Sequence, residues 1–348
     1  MATLAAPTRP NVALGCQGSS RTLGAMTDIA TTDLEATLEQ HRSELTGYCY
    51  RMLGGAFEAE DAVQETLVRA WRNIDSFEGR SSLRSWLYRI ATNVCLDMVS
   101  AKQRRARPMD LSPAWEPVVA NLVERPESTW IEPMPDARVA PADGDPAAIV
   151  ESRESIRLAF VAALQHLPPR QRAVLILREV LRWQASEVAE LLDTTVVSVN
   201  SALQRARATL AASNLDEADA LREMDDEQRS LVARYVDAFE RYDVEALVAL
   251  LREDAVMSMP PFALWLRGPA DIATWFTGPG IDCRGSRVQP IVANGSPAMA
   301  QWRRDPAGGY SAWAINVIET HAGKVTGLTF FLDKKLFPYF GLPLHLDA

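Results

Sequence analysis

Two neighbouring helical patterns within residues 58–107 constrain the fold of this chain more than any other feature. In the first pattern, apolar residues recur every three or four positions, which predicts an amphipathic helix with one buried face. These residues are Val63, Leu67, Ala70, Trp71 and Ile74. The opposite face carries Asp61, Gln64 and Glu65, so this helix is expected to show a partly acidic surface.

The second helical pattern follows a short loop at residues 75–82 and runs from Leu83 to Met98. Between residues 80 and 107 there are seven basic residues and one acid, Asp97. The far face of this helix is predicted to carry polar and aromatic side chains: Ser85, Tyr88, Arg89, Thr92 and Asn93. An acidic helix beside a basic, aromatic-bearing one predicts a surface for two different partners.

Length and composition narrow the class of protein. The 348 residues allow two or three domains, and the net charge of −9 does not by itself indicate a nucleic-acid-binding protein. The four cysteines lie far apart without a CxxC motif, which argues against a zinc site or a disulfide framework and fits a reducing cytoplasm. They are Cys16, Cys49, Cys95 and Cys283, and we expect Cys49 and Cys95 to be core residues. No cofactor or metal is predicted.

The ends of the chain raise the question of targeting. No segment approaches the roughly 18 apolar residues that span a bilayer, and no apolar run typical of a signal peptide opens the chain. Residues 1–30 are rich in Thr, Ala and Gly without periodicity, so we expect them to be disordered. The periodic pattern begins just after Met26, so both Met1 and Met26 are considered as the start.

Residues 31–107 are predicted to form an all-helical first domain, whose opening helix over 32–53 begins with a capping signature, Thr32 followed by Glu35. Residues 108–146 are rich in proline and acids and lack apolar periodicity, which predicts an extended, mobile linker. Trp115 and Trp130 in this linker either pack on a neighbouring domain or dock into the groove of a partner.

Residues 147–213 show helical patterns again and contain a predicted helix-turn-helix. A helix is expected over 148–167, Ser186 is expected to cap a short helix that ends at Leu192, and the next helix is expected over 196–210. That last helix presents polar side chains outward with no acid among them: Ser198, Asn200, Ser201, Gln204, Arg205 and Arg207. Such a surface suits the major groove of DNA, although a merely solvated polar face remains open.

Residues 224–348 change pattern once more. Two helices lead into alternating stretches separated by Gly and Pro, which predicts a curved antiparallel sheet and an α+β domain. The stretches are 255–259, 263–266, 287–293, 299–303, 311–319 and 325–332, with a short helix at 271–276. The apolar tail DKKLFPYFGLPLHL is expected to pack against the preceding helical domains.

On these residues the chain resembles the extracytoplasmic-function sigma factors of bacterial RNA polymerase. The segments AEDAVQETLVRAW and FEGRSSLRSWLYRIATNVCLD are similar to region 2 of that family. The segments LPPRQRAVLILREVLRWQASEVAELL and VNSALQRARATL are similar to region 4. The resemblance implies a multidomain protein with two all-α sigma domains, core RNA polymerase and promoter DNA as partners, and no catalysis.

The resemblance also implies residue roles. The face with Asp61, Gln64 and Glu65 would bind the β′ clamp helices of the polymerase, whose β subunit is also an expected partner. Phe77 and Asn93 match positions that open and read the −10 element, and Asn200, Ser201, Gln204 and Arg205 match positions that face the −35 element. Stacking and cationic support for melted DNA would come from Arg80, Arg84, Trp86, Tyr88 and Arg89, although core packing competes for Trp86.

The last domain resembles the cone-shaped SnoaL-like fold of polyketide cyclases and ketosteroid isomerases, and we expect it to regulate the sigma regions. The acidic linker would thread the RNA-exit path. Two other readings stay open, a cyclase-type or isomerase-type enzyme and a ligand-sensing helix-turn-helix regulator. An enzyme would need a carboxylate in an apolar pocket, for which Asp254, Asp271, Asp333 and His321 are candidates without a diagnostic motif.

Overall fold

The computed structural model describes residues 34–77, 81–100, 104–139, 155–212 and 226–347. Predictions for residues 1–30, Thr32 and Arg80 therefore lie outside the described residues. The predicted helix over 32–53 is interrupted, because residues 40 and 41 form a turn. From Arg42 onward the chain forms one compact unit. Within the described ranges, no helix is long and apolar enough to cross a membrane.

Three helices form the N-terminal helical bundle: α1 (Arg42–Leu53), α2 (Ala56–Arg72) and α3 (Leu83–Ser100). The buried positions of α2 include Val63, Leu67 and Ala70, which confirms the predicted apolar face. Trp71 was predicted on that face, but it is 49% exposed. Its position follows directly after Ala70, about 100° further around the helix, which turns the indole toward solvent.

The predicted exposed face of α3 is wrong at two positions. Tyr88 and Thr92 are buried, and the Thr92 hydroxyl lies 2.7 Å from the hydroxyl of Tyr48 on α1. The hydroxyl of Tyr88 donates to the carboxylate of Glu44 at 3.2 Å. Both polar tips therefore have partners inside the protein, which permits burial that periodicity alone did not predict. Cys49 and Cys95 are buried free thiols, as expected.

Residues 108–139, called the linker below, contain four short 3₁₀ turns: Pro108–Asp110, Val119–Asn121, Glu127–Thr129 and Asp136–Arg138. The prediction of a mobile linker is wrong for these residues, because their main chain is hydrogen-bonded to neighbouring domains. Trp130 is buried, and its Nε1 donates to the carbonyl of Pro261 at 3.0 Å. Of the two interpretations of Trp130, packing on a neighbouring domain is confirmed.

The helix-turn-helix domain consists of α4 (Leu158–Gln165), α5 (Pro169–Leu175), a π-helical turn (Ile176–Val180), α6 (Ala185–Leu191) and α7 (Val196–Ala211). The predicted turn and second helix are confirmed. The helix expected over 148–167 is shorter than predicted, because residues 155–157 are not helical and the helix spans Leu158–Gln165.

The predicted cap at Ser186 is wrong, because α6 begins one residue earlier. The main-chain N–H of Gln184 donates to the carboxylate of Glu187 at 2.6 Å. The start of α7 is capped instead by Thr195, whose hydroxyl accepts from the N–H of Ser198 at 3.1 Å.

The C-terminal domain, residues 226–347, is α+β as predicted. Its elements are α8 (Asp226–Arg241), α9 (Val244–Ala249), β1 (Leu251–Ser258), β2 (Trp265–Arg267), α10 (Pro269–Thr277), β3 (Arg287–Ala293), β4 (Ser296–Arg304), β5 (Tyr310–His321), β6 (Lys324–Phe331), α11 (Leu336–Tyr339) and β7 (His345–Leu346). The sheet order is β2-β1-β6-β5-β4-β3, with β7 on β5. Only the β1–β6 pair is parallel among these strands.

The apolar tail packs as predicted. The ring of Tyr339 in α11 lies 5.1 Å from the ring of Phe57 in α2, and its hydroxyl contacts the sulfur of Met134 in the linker at 3.3 Å. Trp302 of β4 packs on Phe337 with ring centroids 5.1 Å apart. The tail therefore joins the sheet to the helical bundle and the linker.

Candidate functional site

The acidic face of α2 is open to solvent. Asp61, Gln64 and Glu65 are exposed, and Glu65 pairs with Arg69 one turn later at 2.6 Å. An exposed ion pair of this kind contributes little to stability. This surface is therefore available to a charged partner.

A groove of about 280 Å³ lies between the end of α2 and the outer side of α3. Its lining includes Asn73, Trp86 and Asn93. The ring of Phe77 lies 5.2 Å from that of Trp86, and Asn93 is exposed. An aromatic pair beside an amide with free donor and acceptor capacity can stack an unpaired base and bond its edge.

Other predicted DNA-contacting residues on α3 are held by contacts with protein groups. Trp183, in the loop before α6, is 6% exposed, and its ring lies 5.2 Å from that of Tyr88. The guanidinium of Arg84 lies 5.5 Å from the Trp183 ring and donates to Glu44 at 2.7 Å. Burial raises the pKa of the Tyr88 hydroxyl well above its usual value, so the residue stays neutral.

Arg89 is the second point at which the helix-turn-helix domain meets α3. Its guanidinium donates to the main-chain oxygen of Glu190 in α6 at 2.9 Å, and its distance to the Glu190 carboxylate is 4.0 Å. Tyr88 is thus buried in this conformation, and Arg84 and Arg89 are bonded to protein groups although their side chains stay 42% and 46% exposed. Asn93 lines the open groove.

The outward face of α7 agrees with the prediction. Ser198, Asn200, Gln204, Arg205 and Arg207 are exposed and Ser201 is half-buried, while Val199, Leu203 and Ala206 are buried. Arg207 pairs with Glu179 at 2.6 Å. The remaining side chains form a polar strip of the size that fits a major groove.

Two buried arginines tie α1 to the helix-turn-helix domain. Arg51 donates to the main-chain oxygen of Ser155 at 3.1 Å. Arg172 of α5 donates to the carbonyl of Met52, and to the carbonyl of Leu167 at 3.1 Å. Burial lowers the pKa of Arg51 and of Arg172 to about 10, and both remain charged at neutral pH. If the two domains parted, each buried arginine would lose some of its carbonyl partners, and an uncompensated buried charge is energetically costly. The contact between α1 and the helix-turn-helix domain is therefore specific.

The turn between β3 and β4 joins three parts of the molecule. Asn294 is fully buried. Its Nδ2 donates to the Tyr50 hydroxyl of α1 at 2.6 Å and to the carbonyl of Ile156 before α4 at 2.7 Å. Its Oδ1 accepts from the N–H of Met134 in the linker at 2.8 Å. One side chain thereby connects the bundle, the linker and the helix-turn-helix domain to the C-terminal sheet.

Arg105 and Glu132 form a second buried junction. Arg105 pairs with Glu58, and with Glu132 at 3.2 Å. The Glu132 carboxylate also accepts from the N–H of Ala56 at 2.8 Å, which caps the start of α2 from the linker. Burial raises the pKa of Glu132, against the opposing effect of Arg105. Arg105, one of the seven basic residues between positions 80 and 107, therefore has an internal role.

Comparison with known proteins agrees with this division of the chain. Models of sigma-70 region 2, sigma-70 region 4 and a SnoaL-like domain match residues 37–105, 157–210 and 232–328. The ECF RNA polymerase sigma factor SigG of Mycobacterium tuberculosis is 47% identical over 316 residues, 89% of this chain and 84% of SigG. SigW of Bacillus subtilis is 30% identical over 49% of this chain and 82% of its own length.

The chain belongs to the extracytoplasmic-function sigma factors of RNA polymerase. A crystal structure of the Mycobacterium tuberculosis sigma factor SigJ shares the fold, with a TM-score of 0.57 and 22% identity over 88% of this chain and 98% of that chain. As a sigma factor, the protein has core RNA polymerase and promoter DNA as partners and is not an enzyme.

The cavity of the C-terminal domain shows where the four residues considered as catalytic candidates lie. The four residues considered as catalytic candidates, Asp254, Asp271, Asp333 and His321, are not among the residues that line the cavity of the C-terminal domain. Asp254 is exposed and paired with Arg252. The carboxylate at the cavity is Asp282, which forms an ion pair with Arg303 at 3.1 Å.

Sequence reasoning missed the residues that hold the sigma factor together. Trp183, Arg172 and Asn294 each contact residues that are distant in the chain, so their partners are set only by folding. One signal was available for Asn294, because Asn-Gly between two alternating stretches is typical of a tight hairpin turn. Both turn residues have positive φ, +55° at Asn294 and +64° at Gly295. The pattern predicts the turn, but it does not predict what the asparagine side chain binds.

Proposed function

We propose that this sigma factor exists in a closed form in which its C-terminal domain and linker hold regions 2 and 4 together. The observation that carries the proposal is the cover that Trp183 and Glu190 of region 4 place on Arg84, Tyr88 and Arg89 of region 2. Tyr88 cannot stack on a base while it is buried, and the bonds that Arg84 and Arg89 make to protein groups compete with contacts to DNA phosphates.

The spacing of the promoter elements supports the same proposal. Elements centred near −10 and −35 are about 25 base pairs apart, which is roughly 85 Å of B-DNA at 3.4 Å per base pair. In the closed form, Arg89 of α3 touches the helix that precedes α7, and α7 itself is only about 24 Å long at 1.5 Å per residue. Regions 2 and 4 must therefore separate before both elements are bound.

We propose the following roles for the open form. Phe77 and Asn93 accept bases of the melted −10 strand in the groove beside Trp86. Arg84, Tyr88 and Arg89 join them once Trp183 has left, together with Arg80. The strip on α7 reads the −35 duplex. The linker would then be free to follow the RNA-exit path, and the protein would act in the cytoplasm, where the polymerase is.

Energy transfer between two dyes tests the opening. We would label cysteines introduced at Asp97 of α3 and Ala208 of α7, both exposed positions, in the full-length protein. Transfer should be high in the free sigma factor and should fall when core polymerase and promoter DNA are added. Low transfer in the free protein, or no change on binding, would contradict the closed form.

We further propose that the acidic face of α2 binds the β′ clamp helices. Asp61→Lys should weaken binding to purified core polymerase by about tenfold, since it places like charge against a basic partner surface. Glu240→Lys, an equal charge change on exposed α8, serves as the control. Equal affinities of the two variants would show that α2 is not the contact.

A further inference from the structure

A cavity of about 240 Å³ lies between the sheet of the C-terminal domain and the linker. Its wall is mainly apolar and aromatic, and the residues that matter here are Met257, Trp275, Phe276, Trp313, Phe330 and Leu122. The first five belong to the C-terminal domain, whereas Leu122 belongs to the linker. The cavity is therefore complete only while the linker is docked.

Main-chain hydrogen bonds on both sides of Leu122 hold it in this wall. The N–H of Ala263 donates to the carbonyl of Val123 at 2.8 Å, and the N–H of Arg125 donates to the carbonyl of Pro261 at 3.0 Å. On the other side, the N–H of Trp115 donates to the carbonyl of Trp265 at 3.0 Å. The position of Leu122 thus reports whether the linker is docked on the C-terminal domain.

The cavity has one polar end. Arg303 lies with its guanidinium 4.1 Å from the centre of the Trp313 ring. It donates to the main-chain oxygen of Asp282 at 3.1 Å, and another of its nitrogens lies 3.1 Å from the Asp282 carboxylate. A guanidinium has five N–H donors, so this end can bond an acceptor group of a ligand in addition.

The size and lining define the ligand class. An apolar cavity of about 150 Å³ suffices for one benzene ring, so about 240 Å³ admits two fused rings with one small substituent. The aromatic and Met walls favour a flat apolar body. At the polar end the Arg303 side chain is 23% exposed, whereas the Asp282 side chain is 76% exposed to solvent. The N–H donors of Arg303 therefore favour an acceptor or an anionic group over a cation.

We propose that this cavity binds a small, mainly apolar ring compound with one acceptor group, and that the bound compound strengthens the docking of the linker. A ligand shifts an equilibrium toward the state that it binds better. Here the ligand contacts Leu122 only in the docked state, so binding stabilises that state. The effect on transcription rests on the closed form proposed above, whereas binding and linker docking do not.

The probe for the test is 2-naphthoate, added to the full-length protein. We expect saturable binding by calorimetry and slower hydrogen exchange of the amides of Arg125 and Ala263, measured by mass spectrometry of the peptides that contain them. The cation 2-naphthylmethylammonium, of similar size, should bind at least about tenfold more weakly, because it meets Arg303. Equal binding of the two probes, or no saturable binding of either, overturns the proposed site.

Two linker variants separate the site from general effects of substitution. Leu122→Ala removes a wall of the cavity and should weaken 2-naphthoate binding about fivefold, and the slowing of exchange should be lost. Val119→Ala, in the adjacent turn and 62% exposed, should leave both unchanged. Equal affinity in the two variants, or binding of 2-naphthoate without slower exchange at Arg125 and Ala263, overturns the proposal.

Run-off transcription then distinguishes the two proposals. If 2-naphthoate binds, slows exchange in the linker and lowers transcription in wild type but not in Leu122→Ala, both stand. If it binds and slows exchange but transcription is unchanged, the cavity proposal stands and the closed form as an inhibited state fails.

Discussion

Replacing Asn294 with glycine tests the closed form at the residue that joins its parts. The substitution removes the side-chain bonds to Tyr50, to the carbonyl of Ile156 and to the N–H of Met134. It keeps the turn and the main-chain bond from residue 294 to the carbonyl of Met134 at 2.9 Å. Glycine adopts the φ of +55° found at Asn294 without strain. A Gly-Gly pair also suits the hairpin between β3 and β4. The change therefore acts on the junction rather than on the sheet.

The loss of stability of the closed form can be worked out from the hydrogen bonds that Asn294→Gly removes. The Tyr50 hydroxyl keeps a partner, because it also donates to the carbonyl of Glu132 at 2.7 Å. The carbonyl of Ile156 and the N–H of Met134 lose the side chain that pairs them. A lost hydrogen bond costs about 1 kcal/mol, and each buried group left unpaired costs about 1–3 kcal/mol. The closed form should lose about 3 kcal/mol, which is roughly a hundredfold in its equilibrium with the open form.

The assay is the energy transfer between Asp97 and Ala208, combined with titration of core polymerase. If only the open form binds core, the apparent dissociation constant equals the intrinsic one divided by the open fraction. Asn294→Gly should lower the transfer of the free protein and should tighten the apparent binding of core by up to about a hundredfold.

The control is Ala322→Gly, the same type of change in the β5–β6 hairpin. Ala322 has a φ of +48° and is exposed, so its variant should behave as wild type toward core. The reasoning is refuted if Asn294→Gly retains wild-type transfer and wild-type core affinity while its circular dichroism shows a folded protein.

Three further predictions concern single residues. Asn93→Ala should lower run-off transcription at least about tenfold with unchanged core binding, because it removes a base contact worth about 1–3 kcal/mol. Gln289→Ala at an exposed position of β3 is the matched control, and loss of core binding in Asn93→Ala would make Asn93 structural. Arg172→Met should lower the free energy of unfolding by about 3 kcal/mol and the melting temperature by roughly 5–10 °C, because buried carbonyls lose their donor. The control, Arg170→Met at an exposed position, should leave the melting temperature measured by calorimetry unchanged. Burial, and then nearby Arg104, lower the pKa of His166, so the folded state favours the neutral ring. The free energy of unfolding should therefore fall as the pH drops below about 6.5, where the unfolded chain binds the proton. Thermal melts of His166→Gln should show a smaller fall.

Local chemistry made much of the fold predictable. The helices of regions 2 and 4 follow from apolar residues at a spacing of three and four, and β3 was predicted over its observed range, Arg287–Ala293. These elements depend on neighbours along the chain, so their pattern is visible without tertiary contacts. The predictions of burial fail where a residue far along the chain changes the environment of a side chain. Tyr88 is buried because Trp183, almost a hundred residues later, covers it.

The linker shows the same limit. Its prolines and acids disfavour regular structure, and the prediction of extended chain was reasonable on that basis. Its order comes from outside, through main-chain bonds to residues 261–265 of the C-terminal domain. Main-chain hydrogen bonds can form with almost any residue type, so the composition of the linker does not predict them.

The sequence by itself determined that this protein is a sigma factor with an added α+β domain, and it identified which faces of α2, α3 and α7 carry polar, charged and aromatic side chains. These properties depend on residue type and spacing. Only the tertiary structure decided which of those faces are open. Asp61, Asn93 and the strip on α7 remain exposed, while Tyr88 is covered. The reason is that accessibility depends on contacts between residues far apart in the chain, such as those that Asn294 makes with α1, the linker and the start of α4.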